Sequence, residues 1–193
     1  MRLVLASSSP RRADLLRQLA LEFEVRPADV DETHRPEEPA STYVERLARE
    51  KALTVSEPDL IVVAADTAVV HEGHILGKPA HPEEARSMLR RLQDDVHEVF
   101  TGIAVSGGGE VESLVDVTKV TMLSMTEDEI ADYVESGEPM DKAGGYALQE
   151  RGGVFVQSVE GSPFTVIGLP IHLLPRLLRR VGADLQRFYG VSL

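Results

Sequence analysis

Apolar positions along the chain change period repeatedly, and the changes divide it into elements. Arg2 to Ala6 is short, apolar and β-prone, and Ser7, Ser8, Ser9 and Pro10 then precede a helical spacing. This reads as strand, turn and helix, with Ser9 as N-cap, Pro10 at the first helical position and Leu15, Leu16 and Leu19 as the buried stripe. Phe23 and Val25 predict a short strand. Pro27 to Pro39 is rich in Pro, Asp and Glu, holds no period, and is expected to be an exposed loop. Thr42 and Glu45 have capping-box spacing, followed by Val44, Leu47, Ala48, Lys51, Ala52 and Val55 on one helical face. That spacing places Lys51 near the buried edge.

Leu60 to Ala65 is a continuous apolar run, the pattern of a strand covered on both faces, and it is expected to end at Asp66 and Thr67. Glu72 and Gly73 predict a hairpin turn into Ile75 and Leu76, and Pro82 opens a helix with the stripe Ala85, Met88, Leu89 and Leu92. Val99 to Val105 and Val111 to Leu123, joined by the turn Gly107 to Gly109, predict two long paired strands. Thr126 and Glu129 cap a further helix. Tyr146 to Leu148, Val154 to Val159 and Thr165 to Ile167 are strand candidates, and a terminal helical region begins near Pro170, with Pro175 kinking or restarting it. Alternating strands and helices indicate an α/β protein, and the long hairpins require a mixed, twisted sheet flanked by helices rather than a purely parallel one. The 193 residues are expected to form one domain, or two closely packed lobes.

Composition narrows the possibilities. Hydrophobic residues at 42% and charged residues at 27% are ordinary globular usage. With no cysteine, any metal ligands must come from His, Asp and Glu. The first apolar run is too short for a signal-peptide core and no stretch reaches membrane-span length, so the expectation is a cytoplasmic protein without membrane contact. A net charge of −12 disfavours nucleic acid as a partner. A small anion remains compatible, because Arg2, Arg11 and Arg12 stand in an opening dozen residues without an acid.

Ser7 to Arg12 brings hydroxyls, free backbone N–H groups and two guanidinium groups to one helix N-terminus, a combination suited to phosphate. An ordinary capped surface helix with solvated arginines fits the same segment. Lys78 in LGKP lacks the spacing of a phosphate-binding P-loop and, taken alone, reads as a turn lysine. Asp66, after a core strand, stands where α/β folds place ligands and can bind metal, activate water or cap a turn. Asp31 and Glu32 offer oxygen ligands from the long loop, or are simply solvated. His71 and His74 bracket the hairpin, with His81 nearby. They read as exposed turn histidines as readily as zinc ligands. Arg86, Arg90 and Arg91 fit a solvated helix face.

In combination, SSSPRR from Ser7, AADTAVV from Ala64, LGKP from Leu76, HEVFTGIAV from His97, GEPMDKAGGYALQ from Gly137 and EGSPFTVIGLP from Glu160 closely resemble the Maf family, in that family's order. The resemblance implies an inosine-triphosphate-pyrophosphatase-like fold, with an elongated mixed sheet and a central nucleotide cleft. It also implies a house-cleaning nucleoside triphosphate pyrophosphatase that uses a divalent metal, usually magnesium with manganese an alternative, and that commonly forms a homodimer. By the same resemblance Asp66 is the proton acceptor, and Ser7, Arg12, Lys51 and Lys78 hold the triphosphate. Glu32 and Asp66 position the cation, and Arg11, Thr67 and Gln149 choose the base. The GGYALQ context resembles the dTTP and UTP branch, and an amide suits the donor and acceptor of a uracil or thymine edge. Glu150 and Arg151 stand where a small residue is more usual, Pro163 replaces a common aromatic and Thr165 a common asparagine. Two other readings remain at this stage: a nucleotide-binding regulator of division or septum formation that need not hydrolyse, and a phosphatase releasing orthophosphate.

Overall fold

The computed structural model describes residues 1–190. The chain forms two compact units, the first from residues 1–66, 101–116 and the segment from Gly168 on, the second from residues 67–100 and 117–167.

In the first unit, strand β1 (Arg2–Leu5) pairs in parallel with β2 (Glu24–Val25) and with the start of β3 (Leu60–His71). Strands β5 (Val96–Gly107) and β6 (Glu110–Met122) contribute their 101–116 portion. Val4, Ala6, Leu60, Val62, Ala64 and Ala104 pack against Ala48 and Ala52 of helix α2 (Ala40–Thr54). Fully burying each such valine or leucine contributes roughly 1.5–3 kcal/mol. Gly102 is required by this packing, since a Cβ there would fall on the carbonyl oxygen of Val44.

In the second unit, β4 (His74–Leu76) pairs antiparallel with the end of β3 through the two-residue turn Glu72 and Gly73, both at positive φ. Strand β7 (Val156–Glu160) pairs antiparallel with β6. Helices α3 (Pro82–Leu92) and α4 (Glu127–Glu135) bury Ala85, Leu89, Leu92, Ile130 and Tyr133 in a core with Val69, Val99 and Val120. With parallel and antiparallel pairs both present, the protein is a mixed-sheet α/β protein flanked by helices, as its hairpins predicted.

Several local expectations are corrected. Ser9 takes the N-cap position of α1 (Pro10–Gln18), but its side chain makes no cap bond. The Thr42 capping box is absent because α2 starts earlier, after Pro39, and Glu45 instead accepts a hydrogen bond from the Ser113 hydroxyl at 2.7 Å. Tyr146 to Leu148 has no strand, residues Arg151–Phe155 form a 3-10 turn, and Thr165 to Ile167 lies in the short helix α5 (Pro163–Ile167). Of the two alternatives at Pro175 the restart is borne out: α6 (Leu174–Arg180) begins there after a 3-10 turn over Ile171–Leu173.

Candidate active site

Asp66 lies inside β3, which continues to His71, and not beyond its end as the apolar run implied. Alternation along a strand still lets one carboxylate leave the apolar surface, provided it finds a partner. That partner is Lys51, which falls on the buried face of α2 with Val44, Leu47 and Ala48. Its Nζ donates to Asp66 Oδ1 at 2.7 Å, and both residues are 8% exposed. The same Nζ stands 2.6 Å from Glu32 Oε1, so one ammonium draws together a strand carboxylate and a loop carboxylate. The separation of the two carboxylate oxygens can be no greater than the sum of those two distances.

Burial pushes the Asp66 carboxyl above its ordinary value, because desolvation outweighs the attraction of Lys51 and Arg12. Arg12 is itself desolvated, which lowers its guanidinium pKa against the opposing pull of Asp66. Its Nε donates to the Gly168 carbonyl at 2.7 Å and its Nη1 to the Ser7 hydroxyl at 3.2 Å. Ser7 also accepts from the Ser9 backbone N–H at 3.2 Å, so the turn before α1 is closed by Ser7 and not by the residue at the cap.

The loop carrying Glu32 has no regular structure up to Pro39, yet α2 holds it. The Tyr43 hydroxyl donates to the Glu32 carbonyl at 2.9 Å. Arg46 donates through Nε and Nη2 to the two oxygens of Glu38, at 2.7 and 2.8 Å, and through Nη2 to the Thr33 carbonyl at 3.3 Å. These bonds hold the Glu38 carboxyl at about 2. Tyr43 and Arg46 were missed at the sequence level. Their only signal was their mutual spacing of one helical turn on α2, which does not separate loop anchors from solvated residues.

The structure thus brings Ser7, Arg12, Glu32, Lys51 and Asp66 together in the first unit, with Arg11 half-buried beside Arg12 on α1. Thr67 follows Asp66 on β3 and begins the second unit, to which Lys78 and Gln149, both exposed, also belong. There the Gly77 carbonyl accepts from Gly144 N–H at 3.1 Å, tying the LGKP segment to the GGYALQ segment.

The histidines divide. His71 and His74 do flank the hairpin turn, and His74 is exposed, but His71 is buried and pairs with Asp95 at 2.9 Å, correcting its reading as exposed. His97 is buried and hydrogen-bonded to Tyr146 at 2.7 Å, and burial pushes its pKa down to about 4. His81 caps α3 by accepting from Glu84 N–H at 3.2 Å.

The arrangement defines an α/β protein whose first unit sets a desolvated arginine and a buried lysine around a strand carboxylate, beside a helix N-terminus, chemistry suited to an anionic ligand. The chain belongs to the Maf family: the family profile, described as Maf-like protein, matches residues 2–181. It is 52% identical over 189 residues to a dTTP/UTP pyrophosphatase of Anaeromyxobacter dehalogenans (strain 2CP-C), covering 95% of this chain and 96% of that one. It is 50% identical to a dTTP/UTP pyrophosphatase of Myxococcus xanthus (strain DK1622), covering 95% and 94%. Among solved structures it is similar to a HAM1 protein from Coxiella burnetii, with a TM-score of 0.44 and 18% identity over 63% of this chain and 73% of that one. No helix among the described residues is long and apolar enough to cross a membrane.

Proposed function

We propose that the protein is a dTTP/UTP pyrophosphatase, cleaving pyrimidine nucleoside triphosphates between the α- and β-phosphates to yield monophosphate and pyrophosphate. The observation that carries the reading is the single Lys51 ammonium bridging Asp66 and Glu32 beside the desolvated Arg12. Family membership and relatives at half identity that bear this activity in their names support it.

In this reading Asp66 takes the proton of the attacking water. A carboxylate whose pKa is raised by burial is a better base than a solvated one, and Lys51 opposes that rise and orients the carboxylate. Arg12, Lys51 and Lys78 bind phosphate oxygens, and Ser7 shapes the turn that receives them. Arg11, Thr67 and Gln149 select the base.

The donor set fits a magnesium ion. Two carboxylates already converge on one positive group. Glu32 and Asp66 would therefore supply the protein's ligands, with water and phosphate completing the shell, as magnesium favours. When bound, the cation offsets charge accumulating on the phosphate oxygens. Homodimer formation and a cytoplasmic location belong to the same proposal.

The test is to incubate purified protein and Mg2+ with dTTP, UTP, CTP, ATP and GTP and to separate the products. Selective conversion of dTTP and UTP to monophosphate and pyrophosphate is expected. Orthophosphate as the product, or nucleotide binding without turnover, would overturn the reading.

A further inference from the structure

The segment around Gln149 contains only 3-10 turns and irregular backbone, yet buried side chains fasten it on both sides. Lys142 is 5% exposed and finds three acceptors: the Glu138 carbonyl at 2.7 Å, Asp141 Oδ1 at 2.7 Å and Glu150 Oε2 at 3.3 Å. The Glu138 carboxylate accepts from the Tyr133 hydroxyl at 2.8 Å, from Gly152 N–H at 2.9 Å and from Arg151 N–H at 3.1 Å. Each of the three residues after Gln149 is therefore tied to Lys142 or to Glu138. Upstream, Tyr146 is buried and hydrogen-bonded to His97.

The turn closes tightly. A Cβ at Gly153 would fall on the Leu148 carbonyl oxygen, and one at Gly152 on the Tyr133 hydroxyl. Gln149 is left exposed on a short loop with both ends fastened. Such fastening matters for an amide. Uracil and thymine present an acceptor at O4 and a donor at N3, whereas cytosine presents the reverse pair, and an amide turned by 180° satisfies either pattern. The side chain becomes a selector only when the backbone beneath it restricts its pose.

We propose that Lys142 and Glu138 are positioning residues for base choice, and that Glu150, paired with Lys142, is part of the same clamp. The inference rests on the pyrimidine triphosphate pyrophosphatase reading and deepens it.

The test measures kcat/KM for UTP and CTP with Mg2+ in wild type, Glu150→Ala, Glu150→Gln, Glu138→Gln and Gln149→Ala, with amide hydrogen exchange over residues 146–153. Glu150→Ala removes a side chain 38% exposed and is the variant of choice should Glu138→Gln fold poorly. The UTP to CTP ratio is expected to fall about tenfold in Glu138→Gln and Gln149→Ala and several-fold in Glu150→Ala. Exchange should rise in both clamp variants, and Glu150→Gln, which keeps an acceptor, should restore most of the ratio. Faster exchange with an unchanged ratio would overturn the proposal, as would unchanged exchange. A wild-type protein that hydrolyses neither nucleotide would instead refute the pyrimidine reading, so the two failures are distinguishable.

Discussion

Lys51 on α2 and Asp66 on β3 meet at 2.7 Å with both side chains almost fully withdrawn from water. A buried pair of this kind gains little net stability, because desolvation offsets its attraction, but losing either member leaves a costly uncompensated charge. Retaining such a pair, with a second carboxylate on the same ammonium, is more readily explained by chemistry than by folding.

Replacing Asp66 by Asn keeps the shape and removes the proposed base. Turnover of dTTP is expected to fall by about 10²–10⁴-fold, the usual contribution of a positioned base, while the cooperative melt survives. Initial rates of pyrophosphate release and a thermal melt check this. Activity within threefold of wild type would reject Asp66 as the base.

The loop carrying Glu32 depends on Tyr43 and Arg46. Arg46→Met removes a bidentate charged bond and leaves Glu38 with only the Arg35 N–H as donor, at 3.2 Å, so limited proteolysis is expected to nick residues 31–38 many times faster than in wild type. Tyr43→Phe, which loses one hydrogen bond worth about 1 kcal/mol, should show a smaller effect in the same direction. Equal protection in all three proteins would show that the loop is held by other contacts.

His97 predicts an acid-sensitive fold. Burial pushes its pKa from 6.5 down to about 4, with His71 acting in the same direction and Asp95 opposing. Between those values the unfolded chain binds a proton that the folded chain does not. The stability is complete above pH 6.5 and is lost as pH falls toward 4, by roughly 3 kcal/mol if the whole shift is realised. Urea midpoints at pH 7 and pH 5 should diverge more in wild type than in His97→Gln. Identical divergence would exclude His97 as the group responsible.

Gly102→Ala drives a methyl group into the Val44 carbonyl of α2 and is expected to cost at least about 2 kcal/mol. Gly77→Ala, which meets nothing within 4 Å, should be nearly neutral in the same denaturation series. Equal losses would contradict the close approach of α2 to β5.

What the sequence determined by itself was local. The α3 stripe, the Thr126 capping box and the Glu72–Gly73 hairpin follow from periodicity and turn chemistry, which act over a few residues and need no partner. Helical phase likewise placed Lys51 near the buried edge of α2, and the fold buries it. The tertiary structure decided the rest. Thr165 to Ile167 became helix, Tyr146 to Leu148 stayed irregular, and Asp66 sat within its strand, because packing and long-range hydrogen bonds outweigh the weak strand propensity of short apolar runs. The meeting of Lys51 with Glu32 and Asp66, and of Lys142 with Glu150, also had to come from the fold. A charged side chain carries no pattern that names its partner, and only the burial imposed by the surrounding core forces that partner to be found.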